Sequence, residues 1–372
     1  MDLARRSMRI LIIKLTSIGD VIHTLPAVAF LRRALPQAHL TWVVDRRASA
    51  IIKDSTAIDE IIELDTRRWQ RDFFTASTML DIRTQLKNLR SSSALNGVGA
   101  SEIAIDFQGL MKSGLVAFAS RAKIRIGFET PELREPPSKV LLTHQVKTSE
   151  FGHVIEKNLA LAHAATRYAE GESLNGEGIS GGQYDFPIAV SLEHERIVDS
   201  MLDKQRLPFA IINPGGGWPT KLWSTERFAQ LADWLWQEHG ISSLITFGPG
   251  EENLARAVAT NTQSGSARPI ASTLKQFVAL ARRAALFVGC DTGPLHIAAA
   301  CGTPIVGLYG PTSPERNGPF DSRDIAVGRD LWCRANCHRR SCWHWECMDI
   351  SVDEIKEAVT NRLTVAKNGV AV

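Results

Sequence analysis

Asp291, Thr292, Gly293 and His296 fall in one short window, GCDTGPLHIAAA, and their types suit binding an anion. An apolar run over 285–288 reads as a buried strand and breaks at Gly289. A helix then opens at 292–294, with Thr292 placed to cap it through its hydroxyl. Pro294 suits the first turn, where its missing N–H costs nothing. A helix that starts directly off a strand points free N–H groups and a positive dipole end over the sheet. The segment 303–312 follows as a further strand and a tight turn. The window predicts a site for an anionic ligand, most simply a phosphate-bearing donor. The alternative is an ordinary capped βα unit with a buried histidine.

A second anion-binding candidate is the loop NPGGGWPTKLW over 213–223. Its glycines, Gly216 and Gly217 among them, let backbone N–H groups approach phosphates closely, with Thr220 nearby and Lys221 adding charge. The order is not that of a Walker loop. No Asp-x-Asp occurs in the chain, so a metal-bridged diphosphate of that kind is not expected, and charge on a leaving diphosphate falls to Lys221 and helix N-termini.

The loop KLTSIGDVIHTLP over 14–26 places Asp20 near the start of a helix. An aspartate there serves as a cap. A second role is general base toward an attacking hydroxyl, with Lys14 and His23 tuning it or holding an anionic substrate. Arg67, Arg68 and Arg71 flank Trp69, and Lys112, Arg121, Lys123 and Arg125 lie in a stretch over 107–128 that contains no acid. Such runs are often solvated faces. Beside a proposed cleft they suggest an anionic acceptor, and arginine can hold a carboxylate through two parallel hydrogen bonds.

The elements that must position these groups alternate. Strands are predicted over 9–13, 40–44, 61–64, 103–106, 124–128 and 140–142, with helices over 21–35 and 46–53. The second half restarts with strands over 209–212 and 242–247 and helices over 225–239 and 251–259. This alternation predicts parallel sheets with helices on both faces and a ligand at the strands' carboxyl ends. The reading divides the chain into 1–180, 187–350 and a last helix in 351–372, which packs on the surface or crosses back to the first domain. The linker, about 169–186, carries a formal GxGxxG over 176–181, but no apolar strand leads into it and it is rejected as a dinucleotide fingerprint.

The composition is that of a globular chain: 44% hydrophobic, 22% charged and a net charge of +3 from 43 basic and 40 acidic residues. That balance does not mark a nucleic-acid binder. No apolar run approaches the ~18 residues of a membrane span, and the N-terminus does not read as a secretory signal, so a cytoplasmic protein is expected. Cys333, Cys337, Cys342 and Cys347, with His338 and His344 interleaved, depart from paired CxxC zinc knuckles. They read as reduced, partly packed thiols, with structural zinc as the alternative. Arg334, Arg339, Arg340, Trp332, Trp343 and Trp345 share that loop and make it a candidate contact surface.

KLTSIGDVIHTLPA, AIDFQGLMKSGL, NPGGGWPTKLWSTERFAQLA and GCDTGPLHIAAACGTPIVGLYGPTSP closely resemble the bacterial lipopolysaccharide heptosyltransferases, glycosyltransferase family 9. The resemblance runs over 8–358. RIGFE followed by LREP, with the DTRRW segment, is most similar to the heptosyltransferase I branch. It implies an α/β GT-B fold, two Rossmann-like domains facing across a cleft. It also implies an inverting, metal-independent transfer from ADP-L-glycero-D-manno-heptose to the Kdo region of the inner core. A heptosyltransferase II-like or other ADP-heptose-dependent enzyme is the alternative.

The family's base falls on Asp20 and its donor-phosphate lysine on Lys221, beside Gly216, Gly217 and Thr220. Its DTGxxH donor site falls on Asp291, Thr292, Gly293 and His296, and a nucleotide-side glutamate on Glu251 or Glu252. The acceptor side is expected at Lys14, Ser17, Gly19, His23, Arg67, Arg68, Arg71, Gln108 and Lys112. Expected partners are ADP-heptose and a Kdo–lipid A acceptor at the cytoplasmic face of the inner membrane, with no cofactor, metal, nucleic acid or protein partner. The chain departs from its nearest relatives in GGGW and in the tail cysteines. A nicotinamide oxidoreductase and a non-catalytic sugar-nucleotide binder are the rival classes. The absence of a strand before GxGxxG disfavours the first, and the presence of both Asp20 and Lys221 the second.

Overall fold

The structure is a computed structural model that describes residues 8–72, 75–91, 101–173, 184–203, 205, 207–333, 337, 341–342 and 345–368. The chain divides into two units, Met1–Ala189 and Val190–Val372.

The first unit is a six-stranded sheet of β1 (Arg9–Ile13), β2 (His39–Asp45), β3 (Glu60–Leu64), β4 (Ile103–Asp106), β5 (Ile124–Phe128) and β6 (His144–Val146). The order is β3-β2-β1-β4-β5-β6 and every pairing is parallel. Strands covered on both faces read as continuous apolar runs, and RILII and IAID are buried along nearly their whole length. The helices that matter to the site are α1 (Ile18–Ile22), α2 (Leu25–Ala34), α3 (Thr66–Arg71), α4 (Met111–Ala119) and α5 (Val154–Ala169).

The second unit repeats the plan with β7 (Phe209–Asn213), β8 (Ser242–Thr246), β9 (Ala267–Ile270), β10 (Leu286–Cys290), β11 (Ile305–Tyr309) and β12 (Ile325–Gly328). Its order, β12-β11-β10-β7-β8-β9, is the first unit's order with β7 in the place of β1, and it too is all parallel. Its site helices are α6 (Thr225–His239), α7 (Glu252–Asn261) and α8 (Gly293–Ala300). A last helix, α9 (Val352–Asn368), buries Ile355, Ala358 and Val359 in this unit's core and packs on α6, β11 and β12. The segment 351–372, set apart in the sequence reading, is therefore part of the second unit.

Three local readings are corrected. The helix expected over 21–35 is two helices, because Pro26 opens α2 as a new first turn. The strand expected over 140–142 lies in a 3-10 segment and the turn after it, Pro136–Leu141, which begins with two prolines; the edge strand forms at His144–Val146 instead. Thr292 occupies the N-cap of α8, but its hydroxyl donates to the Cys290 carbonyl at 3.2 Å and makes no cap bond. The GxGxxG segment lies outside the described residues. Among the described residues no helix is long and apolar enough to cross a membrane.

Candidate active site

In an open parallel sheet the strand order reverses at one point, and the loops leaving the two central strands diverge there to leave a crevice at the carboxyl ends. That point lies between β1 and β4 in the first unit and between β7 and β10 in the second. Most of the predicted site residues follow these four strands, whereas Arg67, Arg68 and Arg71 follow β3, and Glu251 and Glu252 follow β8.

In the first unit, the loop after β1 turns into α1, whose N-cap is Ser17. Asp20, in the first turn, accepts from the Ser17 N–H at 2.9 Å, so the capping geometry is present. Its other oxygen meets Lys14 Nζ at 3.8 Å and Arg134 Nη2 at 3.4 Å. Burial alone would raise the Asp20 carboxyl. Lys14, then Arg134, the Ser17 N–H and His23 outweigh it and hold the group well below the usual carboxylate range. Asp20 is therefore ionised, the form a base requires.

Lys14 is buried and donates to the Phe107 carbonyl at 2.6 Å, tying the end of β1 to the loop after β4. Gln108, also buried, makes the same link through its Oε1, which accepts from the Leu15 and Thr16 N–H groups at 3.1 and 3.2 Å. Its Nε2 is buried with no hydrogen-bond partner among the described residues. Behind them Asp106 accepts from the Gln108 and Gly109 N–H groups and from Ser113 Oγ at 2.9, 3.2 and 3.0 Å. Burial dominates these bonds and pushes its carboxyl up to about 6. Gly109 takes φ +67°, which a residue with a side chain rarely adopts.

Gly19 and His23 lie buried along the same loop and helix, where the His23 carbonyl accepts from Asn158 Nδ2 of α5 at 2.9 Å. Lys112, half-buried in the first turn of α4, feels Asp45, Arg47, Glu135 and Arg134, and burial holds its ammonium below the usual lysine range.

Arg67, Arg68 and Arg71 stand apart from that cluster. They sit on α3, whose N-cap is Asp65. Trp69 packs beneath, against the core of the unit, and donates to Asp81 at 2.9 Å. Arg71 is 80% exposed and pairs with Asp72 at 2.8 Å. Among the described residues no ion pair joins the three arginines to Asp20.

In the second unit, Lys221 Nζ donates to both the backbone carbonyl and Oδ2 of Asp291 at 2.7 Å, and lies over the Trp218 ring at 4.6 Å from its centroid. The other Asp291 oxygen meets His296 Nε2 at 3.0 Å and Asn317 Nδ2 at 2.9 Å. Against burial, His296 and then Lys221 hold the Asp291 carboxyl far below its ordinary range. Asp291 thus fixes a buried cation and a histidine beside the N-terminus of α8, where Thr292 and Gly293 begin the helix.

Gly217 takes φ +73°. A Cβ on Gly215 would collide with the Glu251 carboxylate, and one on Gly248 would touch it at 3.0 Å. Glu251 therefore lies over the glycine loop and accepts from the Gly248 N–H at 3.0 Å, whereas Glu252 pairs with Arg256 along α7 at 2.6 Å. Of the two glutamates, Glu251 is therefore the one at the glycine loop. Gly216 lies against Leu222, and Thr220 is buried beside Lys221 in the 3-10 turn Pro219–Lys221.

Two members were not predicted. Arg134 and Asn317 lie 114 and 26 residues from their partners. In the sequence Arg134 stands out only as part of the LREP segment that carries the resemblance, and nothing around Asn317 signals a contact. In the tail, the half-buried Cys347 thiol is raised by burial and by Cys337, Cys342 and Cys333. Among the described residues no group of three or more His, Cys, Asp or Glu is arranged to hold a metal ion. His338, His344, Arg334, Arg339, Arg340 and Trp343 lie outside the described residues.

The fold agrees with known proteins. The chain is 27% identical over 337 residues to lipopolysaccharide heptosyltransferase 1 of Pseudomonas aeruginosa, covering 90% of this chain and 87% of that protein. It is 26% identical over 329 residues to lipopolysaccharide heptosyltransferase 1 of Escherichia coli K12, covering 88% and 94%. Among solved structures, the E. coli heptosyltransferase WaaC with ADP superposes with a TM-score of 0.73 at 23% identity, over 95% of this chain and all of that one, and shares its GT-B fold. The profile of glycosyltransferase family 9 (heptosyltransferase) matches residues 93–344. The chain belongs to glycosyltransferase family 9 and is a glycosyltransferase.

Proposed function

We propose that the chain transfers L-glycero-D-manno-heptose from ADP-heptose to the Kdo region of the lipopolysaccharide inner core, with inversion, acting as a heptosyltransferase I. The observation that carries this reading is the division of labour between the two switch points. One presents an ionised carboxylate with cations around it, and the other a buried cation at a helix N-terminus. The relatives' names supply the heptosyl group and lipopolysaccharide as the acceptor class.

The donor diphosphate is held by Lys221, the glycine loop and the N-terminus of α8. As the bond to ADP breaks, negative charge grows on the leaving phosphate, and preorganised donors there stabilise it. Glu251, over the glycine loop, is placed to accept from a nucleotide hydroxyl. Asp20 takes the proton from the acceptor hydroxyl as that oxygen attacks the anomeric carbon from the face opposite ADP.

A base this acidic is weak while Lys14 and Arg134 crowd it. Arg134 is 43% exposed, so an acceptor carboxylate can draw it away from Asp20. Losing that cation raises the Asp20 pKa when the acceptor is in place. Gln108 Nε2, Ser17, Gly19, His23, Lys112 and the arginines of α3 complete the acceptor side. The acceptor is lipid-borne, which places the enzyme at the cytoplasmic face of the inner membrane.

The test is direct: the purified chain with ADP-heptose and Kdo–lipid A releases ADP and adds one heptose, read by mass spectrometry. A product with no added heptose, or transfer to an acceptor lacking Kdo, overturns this assignment.

A further inference from the structure

Helix α4 leaves the acceptor switch point with two faces. Ser113, Gly114, Val116 and Ala117 are buried, and Gly114 lets Leu141 pack closely, since a Cβ there would stand 2.9 Å from Leu141 Cδ1. On the other face Leu115 and Phe118, three residues apart and so on one side of the helix, are 53% and 58% exposed. Val140, in the 3-10 segment packed against α4, is 73% exposed.

Arg125 joins these elements. Its guanidinium lies 5.7 Å from the Phe118 ring centroid, and its Nε donates to the Leu141 carbonyl at 2.7 Å. Phe118 and the end of the 3-10 segment are therefore neighbours across one side chain.

The charge beside these apolar side chains is mainly positive, with Glu102 as an acid next to Lys123, its carbonyl accepting from the Ile124 N–H at 3.2 Å. Arg121 and Lys123 follow α4 and are exposed, and Lys139 precedes Val140 and is exposed. No acid occurs over 107–128. Glu135 reaches α4 at its opposite end, where it accepts from the Met111 N–H.

We propose that this face, Leu115, Phe118 and Val140 ringed by Arg121, Lys123, Arg125 and Lys139, docks the chain on the surface of an anionic phospholipid bilayer. Apolar side chains that enter the acyl boundary, framed by cations that meet headgroup phosphates, are the pattern of interfacial binding. A face whose neighbouring charge is mainly cationic suits the anionic headgroups of such a bilayer. The consequence for transfer rests on the function proposed above. Lys112 lies one helical turn before Leu115, so docking brings the acceptor switch point down to a lipid-borne acceptor.

The test needs neither donor nor acceptor, so its failure leaves the transfer reading standing. The full chain is sedimented with vesicles of phosphatidylcholine, with and without phosphatidylglycerol. It is expected to bind only the anionic vesicles and to release with salt. Lys123→Gln should weaken binding about fivefold, and Leu115→Ser with Phe118→Ser by roughly tenfold or more.

Phe118→Trp keeps the face apolar and guards against misfolding of the serine variant. Its extra fluorescence should shift to the blue with anionic vesicles and not with neutral ones. Equal binding to neutral vesicles, no binding, or an indole that does not respond would overturn the proposal. So would a dimer that Phe118→Ser dissolves in sedimentation velocity, which would make this face a contact between copies.

Discussion

At the residue scale, the ionisable groups of the two clusters each have a defined neighbour. Lys221 and Asp291 form a buried pair in which His296 and Asn317 occupy the remaining oxygen. Lys221→Met removes a charge-assisted contact to the donor diphosphate, worth about 1.5–3 kcal/mol. ADP affinity, measured by calorimetry, should then fall by roughly ten- to a hundredfold. The titration should be unchanged by a chelator, because the chain has no Asp-x-Asp to bridge a metal; affinity lost on chelation contradicts this. Arg134 makes the second prediction. It lowers the Asp20 pKa, so Arg134→Ala should raise it and move the acid limb of the pH profile of kcat/KM to higher pH. An unmoved limb would mean that Arg134 does not act on the base. Lys14, Asp20, Lys221 and Asp291 were legible in the sequence because their loops carry distinctive residue types at short spacing. Arg134 and Asn317 were not, because their roles exist only once distant segments meet.

At the scale of elements, the end of β4 ties together the loops of the proposed acceptor side. Asp106 holds the turn through Gln108 and Gly109, and Gln108 in turn holds the loop after β1. The Asp106 carboxyl is pushed up to about 6 by burial. The unfolded chain ionises this group near pH 4. Between those values the folded state keeps a proton that the unfolded state has lost. The contribution is therefore present below about pH 4, declines as pH rises to about 6, and is gone above that. Its size is at most about 3 kcal/mol, from roughly two pKa steps. Asp106→Asn should flatten this part of the profile of stability against pH in chemical denaturation, and an unchanged slope would assign it elsewhere. Strand positions were readable from apolar runs, since both faces of each sheet are covered. The break between α1 and α2 and the 3-10 segment Pro136–Leu141 were misread where a proline overrides hydrophobic patterning.

At the scale of the whole molecule, the same strand order is built twice, and each copy carries its cluster at its own switch point. The sequence showed two successive alternations of strand and helix but no repeat, because the two sheets share topology and not residues. In the proposed mechanism the doubling separates the tasks, with a base in one unit and a diphosphate site in the other. That separation makes a single substitution decisive. Asn at position 20 retains an oxygen that can accept from the Ser17 N–H, so the helix cap survives and only the proton acceptor is lost. Asp20→Asn should leave ADP affinity within about twofold, well under the tenfold of 1.4 kcal/mol. The rate of heptose transfer under the same conditions should fall by roughly 10²–10⁴-fold. Transfer at near the wild-type rate would make Asp20 a helix cap and nothing more, and would contradict the mechanism.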